Sequence, residues 1–368
     1  MNARYARQIV LPNFGISAQA ALSRAKVLVI GAGGLGCPAL QYLAASGVGT
    51  IGIIDHDEIE LSNLHRQILF DESDIGKNKA KVAAIKLQKS NSDLSIQVFE
   101  TKIDNRNALG IIREYDIVID GSDNFPTRYV VNDACAILKI PLIYGSVFRY
   151  EGQVSVFHSP SHIDNILDRA ANYRDIFPVP PAKGEVPNCL ETGVLGVLTG
   201  IVGTWQASEA IKLITGIGEV LSSTILTLNM LTNTIEHFTF ELHPDALFGA
   251  PSNENELSHM NYDDFCGIKS DIQEITWKKF REIYSTESVI LLDVRDEYEM
   301  PKVKKFTYKS IPMNDLQSRM HELDTTKTIV VFCQTGKRSI VAAFDLMAIL
   351  KLQHVLSISG GINAIDEN

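Results

Sequence analysis

The sequence lacks any long hydrophobic run. Its longest apolar stretch, residues 194–205, is interrupted by glycine and threonine, whereas a helix that crosses a bilayer needs about 20 mostly apolar residues. The amino terminus also lacks the apolar core of a signal peptide. We therefore expect no membrane association and a cytoplasmic location.

Cysteine is scarce, and positive charge is in the minority. The five cysteines are scattered, which excludes the paired framework of a small secreted protein and favours a reducing compartment. Acidic residues outnumber basic ones by 44 to 34, for a net charge of -10. Because nucleic-acid binding normally requires a basic face, we expect no nucleic-acid partner.

The length of 368 residues predicts two domains. The first spans 1–243 and contains a proline-rich crossover loop at 158–188. A polar linker follows at 244–270, and a second, smaller α/β domain occupies 271–368. In the first domain the apolar pattern predicts strands at 27–30, 51–55, 96–99, 116–119, 141–144, 153–157, 224–228 and 234–240, with helices at 37–45, 77–88, 129–138 and 193–214. In the second it predicts strands at 289–294, 328–333 and 354–358 and a helix at 339–350.

A glycine-rich turn, GAGGLG at 31–36, follows the first strand and opens a helix. This order begins a doubly wound, Rossmann-like sheet, and the helix start supplies N–H groups to phosphate. Asp55 ends the next strand, where an acid can bind ribose hydroxyls. These residues alone fit an NAD-dependent oxidoreductase as well as an ATP-binding enzyme.

Residues further along the chain favour ATP. Arg66 and Lys79 offer two cations, which suit a triphosphate, and Asp123 follows the strand at 116–119. Mg²⁺ is commonly held through one or two carboxylates and substrate phosphates. NAD carries only a pyrophosphate and needs no metal, so the set indicates ATP with Mg²⁺.

Two cysteines are candidates for sulfur chemistry. Cys333 ends an apolar strand and begins the loop CQTGKRS, whose N–H groups, with Lys337 and Arg338, are expected to lower the thiol pKa and to hold a persulfide. Cys189 precedes a helix at the end of the proline-rich loop, where a thiolate is stabilised. Cys37 and Cys135, by contrast, are expected to be structural.

Several consecutive motifs carry a resemblance to a known family. GAGGLG, SNLHRQ, IGKNKA, DGSDNFPTRY and NCLETGVLG resemble the ubiquitin-activating-type adenylating enzymes, and most of all the MoeB/ThiF (HesA) group, over residues 4–240. The resemblance implies Mg²⁺ binding by Asp123, sulfur transfer or acyl acceptance at Cys189, and a homodimer in which Arg7 reaches the partner's ATP site. It implies that the ATP site consists of Gly34, Asp55, Ser62, Asn63, Leu64, His65, Arg66, Lys79, Asp123 and Asn124.

The second domain resembles rhodanese. The Cys333 loop, LLDVRDEYE at 291–299 and SGGINAID at 359–366 match rhodanese landmarks. A His-Ile-x-Gly-Ala pattern is absent between 299 and 312, and Ile365 stands where a Trp is usual. These two departures count against full sulfurtransferase activity but not against the rhodanese fold.

A structural zinc site is predicted to be absent. Relatives often bind zinc through two Cys-x-x-Cys pairs, but here these positions hold Asn172, Asp175, Asp263 and Cys266. Structural zinc requires four ligands, mostly sulfur or nitrogen. We expect hydrophobic packing or a shorter crossover to replace the metal.

Together these features predict an enzyme that adenylates the carboxyl-terminal glycine of a ubiquitin-like sulfur carrier ending in Gly-Gly. A persulfide on Cys333, loaded by a donor such as a cysteine desulfurase, would then convert the adenylate to a thiocarboxylate. The alternatives are a peptide-adenylating relative, an NAD-dependent oxidoreductase and a non-catalytic sulfur-relay scaffold. Molybdopterin, thiamine, cysteine and tRNA thiolation pathways all fit.

Overall fold

The computed structural model describes residues 3–159, 169–181, 193–243, 246–247, 249–266, 272–284, 288–350 and 355–365. The chain forms two compact units that divide between residues 266 and 267. Among the helices in those ranges, none has both the length and the apolar character that a bilayer crossing requires.

The first unit is built on an eight-stranded sheet. Its strands are β1 Lys26–Ile30, β2 Thr50–Ile54, β3 Ser95–Phe99, β4 Ile117–Asp120, β5 Leu142–Phe148, β6 Glu151–Phe157, β7 Thr224–Asn229 and β8 Thr234–Thr239. Their order is β3-β2-β1-β4-β5-β6-β7-β8. The strands from β3 to β5 are parallel and those from β5 to β8 antiparallel. The strand predicted at 153–157 is thus confirmed, antiparallel pairing included.

Helices cover both faces of this sheet. They are α1 Ala6–Ile9, α2 Gly15–Arg24, α3 Gly36–Ser46, α4 Lys79–Ser90, α5 Ala108–Ile112, α6 Phe125–Leu138, α7 Tyr173–Ile176, α8 Gly196–Thr215, α9 Glu254–His259 and α10 Tyr262–Phe265. Alternate residues of β1 enter opposite cores, since Val27 and Val29 pack on one face and Leu28 and Ile30 on the other. Both faces of the central parallel strands β1, β2 and β4 are therefore buried, as a doubly wound sheet requires, whereas the edge strand β3 is mostly exposed.

The second unit has a five-stranded parallel sheet of its own. Its strands are β9 Gln273–Ile275, β10 Val289–Asp293, β11 Lys309–Ser310, β12 Thr328–Phe332 and β13 Val355–Ile358, in the order β11-β10-β12-β13-β9. The principal helices are α11 Trp277–Ile283, α12 Leu316–Arg319 and α13 Lys337–Leu350. Separate apolar clusters fill its two faces, one around Val331 and Leu346 and the other around Val330 and Phe332.

The structure differs from the sequence prediction in the segment assigned to the linker. That segment contains α9 and α10, and its residues Leu257, Tyr262 and Cys266 are buried in the core of the first unit. Asn253 and Asn261 accept hydrogen bonds from the first backbone N–H groups of these short helices. The segment was predicted to be a linker because it is rich in polar residues, but a few of its apolar residues pack into the core of the first unit. The loop prediction at 158–188 likewise gives way to helix α7 within 169–181.

Three described cysteines, Cys37, Cys135 and Cys266, are buried in the first unit, and the first two were predicted to be structural. Cys37 and Cys135 have no exposed surface. Burial raises the pKa of Cys37 to about 12 and raises the pKa of Cys135 well above its ordinary value. Neither thiol is available as a nucleophile at neutral pH.

Candidate functional site

The glycine loop folds tightly between β1 and α3. Gly31 has φ +86 and donates its N–H to Ile54 O at 2.8 Å. A Cβ on Gly36 would lie 1.8 Å from Gly31 O, so only glycine allows the first turn of α3 to close over the loop. The glycine loop and the amino end of α3 therefore lie at the carboxyl end of the parallel strands.

Asp55 holds this loop directly. Its carboxylate accepts hydrogen bonds from the N–H groups of Ala32 and Asp57, both at 2.8 Å. The side chain is largely buried, and this burial raises the pKa of Asp55. The sequence placed Asp55 correctly at the end of β2, next to the glycine loop.

The end of β4 lies against the same loop. A Cβ on Gly31 would lie 3.0 Å from Gly121 O, so the turns after β1 and β4 are in contact. Asn124 caps α6 by accepting the Thr127 N–H at 3.0 Å. Asp123 is exposed, and within the described ranges its carboxylate makes no hydrogen bond or ion pair. It is thus free to bind a cation.

Lys79 has a partner already. Its ammonium lies 3.1 Å from the Asp57 carboxylate, and its side chain is buried at the start of α4. Asn78 caps the helix and donates to the carbonyls of Asp55 and Asp57 at 3.1 and 3.3 Å. The sequence predicted a free cation here, whereas the structure shows one paired to a neighbouring acid.

The SNLHRQ segment packs against the amino end of α8. A Cβ on Gly196 would lie 2.3 Å from His65 O. Arg66 Nη1 donates to Ser62 O at 3.1 Å and lies 2.8 Å from His65 Nε2. Partial desolvation, and then the Arg66 charge, lower the pKa of His65. Ser62 is exposed, Leu64 packs against the core, and Asn63 completes a capping box with Glu60.

An open apolar groove lies beside Arg66. It has a volume of about 940 Å³ and runs between α3 and α8. Three large side chains on its walls, Tyr42, Ile68 and Val197, are each more than half exposed. Contiguous apolar surface of this kind marks an interaction site.

The Cys333 loop is closed around the sulfur. Cys333 is fully buried at the end of β12, and the Gly336 N–H donates to its Sγ at 3.2 Å. A Cβ on Gly361 would lie 2.4 Å from Cys333 O, and Ile362 N donates to that carbonyl at 2.8 Å. Gly361 and Ile362 therefore pack directly against the backbone of the loop.

The charges of this loop are partly neutralised. Arg338 forms two hydrogen bonds with Glu299, of 2.7 and 2.6 Å, so its charge is shared with a carboxylate. The side chain of Lys337 lies outside the described residues. Where Ile365 replaces the usual Trp, Trp277 of α11 donates its indole N–H to Gly361 O at 2.8 Å.

Comparison with protein families matches both halves of the chain. The ThiF family model covers residues 5–247 and the rhodanese-like domain model covers residues 276–368. The chain belongs to the ThiF family. With the rhodanese-like domain, it is an adenylyltransferase–sulfurtransferase, and the oxidoreductase alternative is excluded.

Relatives share this organisation. The protein is 38% identical to "Probable adenylyltransferase/sulfurtransferase MoeZ" of Mycobacterium tuberculosis, over 98% of this chain and 92% of that one. It is 36% identical to the adenylyltransferase and sulfurtransferase MOCS3 of Culex quinquefasciatus, over 100% and 87%. The sulfur carrier protein adenylyltransferase of Thermus thermophilus is 43% identical over 72% of this chain and 97% of its own.

Solved structures of a ThiF-type enzyme share the fold. The microcin C7 biosynthetic enzyme MccB in complex with N-formylated MccA is 25% identical, with a TM-score of 0.57, over 66% of this chain and 74% of that chain. E. coli MccB with MccA-N7isoASN gives a TM-score of 0.58 over 66% and 73%.

The ThiF unit does not bring Arg7 to its own glycine loop. Gln8 donates to Ser46 O at 2.8 Å, and Tyr5 accepts from the Asn91 side chain at 2.9 Å. Ser46 is the last residue of α3, whereas the loop lies at the first. Eleven helical residues span about 16 Å. Arg7 is exposed beyond this far end.

Sequence reasoning missed Arg128. Its guanidinium donates to Ser146 Oγ at 3.2 Å and lies 5.5 Å from the Tyr144 ring centre. It lies one helical turn after Asn124, so it faces the same edge of the sheet as Asp123. That spacing in DNFPTRY was the signal available.

At the positions of the two Cys-x-x-Cys pairs, an ion pair fills the space. Arg174 is fully buried, and its Nε and Nη2 donate to Asp133 at 2.8 and 2.7 Å. Tyr262 also donates to Asp133, at 2.7 Å. Aromatic rings of Tyr129 and Phe265 lie 4.9 Å from the guanidinium.

Of the side chains at the four positions, Asp263 is exposed and the other three have surroundings that do not form a metal site. Asn172 caps α7, Asp175 binds Arg169 through both oxygens, and burial raises the pKa of Cys266 to about 12. Within the described ranges, the group of three His, Cys, Asp or Glu side chains close enough to share an ion is Asp55, His56 and Asp57. Cys189 lies outside the described residues.

Proposed function

We propose that the first unit uses ATP and Mg²⁺ to adenylate the carboxyl-terminal glycine of a ubiquitin-like sulfur carrier. The observation that carries this proposal is the meeting of the glycine loop, Asp55 and the Gly121 turn at adjacent ends of β2, β1 and β4. Such a switch point is where doubly wound sheets bind nucleotides. The Thermus relative is named for a sulfur carrier protein.

The residues present fit ATP and Mg²⁺. The α3 amino end binds phosphate, Asp55 the ribose, and Arg66 the transferring group, while Ser62–Leu64 and His65 shape the site. To contact a phosphate, the Lys79 ammonium must either leave the Asp57 carboxylate or bind both groups at once. Asp123, whose carboxylate is unengaged, would hold Mg²⁺ together with substrate phosphates. Bound Mg²⁺ would neutralise charge that develops on the leaving pyrophosphate.

The adenylation step requires positioning and charge rather than a protein nucleophile. The carrier carboxylate attacks the α-phosphorus, pyrophosphate leaves, and an acyl-adenylate forms. Arg66 and Lys79 stabilise the negative charge on the phosphoryl oxygens. Gly34 lets the glycine loop pack closely against α8, since a Cβ there would lie 3.1 Å from Thr199.

For the second step we propose that Cys333 carries the sulfur. Its thiolate attacks the outer sulfur of a donor persulfide, such as that of a cysteine desulfurase, and the donor thiolate leaves. The outer sulfur of the Cys333 persulfide then displaces AMP from the carrier. A second thiol, which we assign to Cys189, cleaves the sulfur–sulfur bond, releases the thiocarboxylate and leaves a disulfide for cellular thiols to reduce.

We further propose a homodimer in which the apolar groove is covered by a second copy. The exposure of Ile68 and Val197 and the distance of Arg7 from its own loop support this arrangement. Arg7 would then reach the ATP site of the partner protomer. The net charge and the reduced cysteines favour the cytoplasm as location.

Mixed dimers test the exchange of Arg7. Arg7→Ala and Asp123→Ala variants should each lack activity, and mixing them with subunit exchange should restore roughly a quarter of it, because half of the dimers then contain one intact site. Failure of the mixture to regain activity, with exchange demonstrated, would contradict the assignment.

We also propose that no structural zinc is required. The Arg174–Asp133 pair and its flanking rings occupy the place where the four ligands would converge, and an Asn, two Asp and a Cys are a poor ligand set. Metal analysis of the purified protein should find substoichiometric zinc, and chelators should leave its unfolding temperature unchanged.

ATP–pyrophosphate exchange tests the main proposal. Exchange should depend on a carrier ending in Gly-Gly and should be lost in Arg66→Ala and Asp123→Ala. Mass spectrometry of the carrier should show a thiocarboxylate that disappears in Cys333→Ser while exchange persists. Thiocarboxylate formation that survives all three substitutions would leave only the scaffold alternative.

The likeness to MccB supports one second candidate, which is adenylation of a short peptide. Its structures include MccA-derived ligands. Exchange with a short peptide in place of the carrier separates the two, and the rhodanese-like half favours the carrier.

A further inference from the structure

Two buried hydroxyl groups lie behind the Cys333 sulfur. Ser339, in the first turn of α13, places its Oγ 3.7 Å from Cys333 Sγ. Ser357, on β13 opposite Val331, places its Oγ 2.9 Å from that of Ser339. Both serines are fully buried. A chain of polar atoms thus leads from the sulfur into the sheet.

Among the described residues, the Ser357 hydroxyl forms no hydrogen bond that fixes the backbone or caps a helix. Within the described part of the chain, its hydroxyl has one hydrogen-bond partner, Ser339. A buried hydroxyl costs free energy unless it is hydrogen-bonded, and an alanine would avoid that cost. The position therefore calls for an explanation in terms of its partner.

The hydroxyl of Ser339 has one hydrogen, so it can donate only one hydrogen bond at a time. In the structure it points to Gly336 O at 2.9 Å. This suits a protonated Cys333, whose S–H can donate to Ser339 Oγ. An anionic sulfur has the opposite need, because it must receive a hydrogen bond from the hydroxyl.

We propose that Ser357 is a positioning residue for the anionic sulfur of Cys333. By donating to Ser339 Oγ, it holds that hydroxyl with its own hydrogen turned toward the thiolate or persulfide. Gly336 O keeps the Ile340 N–H at 3.4 Å as a donor, so the rotation leaves no buried carbonyl unpaired. Arg338 is already paired with Glu299, so among the described side chains of the loop the sulfur is left with neutral donors such as this one.

This inference rests on the proposed role of Cys333 as a sulfur carrier. Its test is the pH dependence of Cys333 alkylation in the full-length protein, followed by peptide-resolved mass spectrometry with iodoacetamide. In Ser357→Ala we expect the profile to move to higher pH and the alkylation rate near neutral pH to fall about three- to tenfold, since one pKa unit changes the thiolate fraction tenfold. Ser357→Thr, which keeps the hydroxyl, should restore the wild-type profile.

Ser359→Ala is the matched control. Ser359 lies two residues further along, is exposed, and is held through its backbone N–H to Ile275 O. Its profile should equal that of the wild type. A folded Ser357→Ala protein with an unshifted profile would overturn the proposal. If that variant does not fold, Ser357→Cys, which keeps the volume but donates weakly, decides in the same way.

A separate measurement distinguishes failure of the proposed function. Incubation with a persulfide donor shows whether Cys333 gains 32 mass units of sulfur, roughly, in the wild type. Loading that fails in the wild type contradicts the carrier role of Cys333. The alkylation profile reports on Ser357 in either case.

Discussion

A buried ion pair joins the crossover segment to the core of the first unit. Arg174 and Asp133 form a doubly hydrogen-bonded pair with no solvent contact, and Tyr262 completes it. Two desolvated charges are stable only together, because either one alone in the interior is strongly unfavourable. The pair therefore makes the contact between the crossover and α6 sensitive to each partner.

Arg174→Met should lower the free energy of unfolding of the first unit by about 3–5 kcal/mol, because Asp133 is left buried and unpaired. Denaturant titration measures the loss. The same substitution at Arg113, whose ion pair with Glu254 is exposed, should cost about 0–1 kcal/mol. Equal losses at both sites would contradict this account, and Arg174→Met/Asp133→Leu should regain part of the stability.

The neighbouring His65 and Arg66 predict a pH effect. The pKa of His65 is lowered, so the folded protein keeps the ring neutral below 6.5, where the unfolded chain takes up a proton first. Stability contributed by this neutral ring is therefore present above 6.5 and declines as the pH falls toward the lowered value. Protonation also removes the acceptor for Arg66 and repels it.

We expect ATP–pyrophosphate exchange to fall as the pH drops below 6.5 and approaches the lowered pKa at which His65 becomes charged. His65→Gln keeps an acceptor but does not titrate, so its ratio of acid to neutral activity should be higher than that of the wild type. Identical ratios in the two proteins would show that another group controls the decline.

Residue positions were more predictable than residue partners. Asp55 and Asp123 followed from their places after apolar strands, because parallel strands end at one edge of the sheet. The Lys79–Asp57 and Arg338–Glu299 ion pairs were not predictable, because the two members of each pair are 22 and 39 residues apart in the sequence. Ion pairing depends on distances between side chains in the folded protein, and the apolar periodicity of the sequence carries no information about those distances.

At the scale of elements, the glycine loop gives the sharpest test. Gly36→Ala would place a Cβ 1.8 Å from Gly31 O, so the loop must open, and we expect loss of nucleotide binding with a lower unfolding temperature. Gly110→Ala, in α5, meets nothing within 4 Å and should stabilise the helix by about 0.5–1 kcal/mol. Calorimetry with and without ATP and Mg²⁺ checks both.

Most strands and the helices of eleven or more residues were predicted to within a few residues, and the shorter helices were not. The strand pattern of KVLVI and the caps of α4 and α6 are local signals that survive in any tertiary context. Helices α9 and α10 have six and four residues, too few for a period to show. Their existence depends on packing against α6, and only their capping asparagines were visible in the sequence.

At the scale of the whole molecule, two separate cores predict two unfolding transitions. Leu43→Ala and Leu346→Ala each remove a fully buried leucine, one from each unit. Each should cost about 2–5 kcal/mol and lower only the transition of its own unit. ATP with Mg²⁺ should raise only the transition that Leu43→Ala lowers. One shared transition in calorimetry would contradict this independence.

Helix α3 serves a different site at each end. In the function we propose, its first residues bind nucleotide in their own protomer, whereas the carbonyl of its last residue, Ser46, accepts a hydrogen bond from Gln8 in the segment that carries Arg7. In the proposed dimer, a protease that removes this segment from one protomer would leave the nucleotide contacts of that protomer intact. The ATP site of the partner protomer would lose Arg7 and with it its activity. Cleavage of one protomer would therefore inactivate the ATP site of the other protomer.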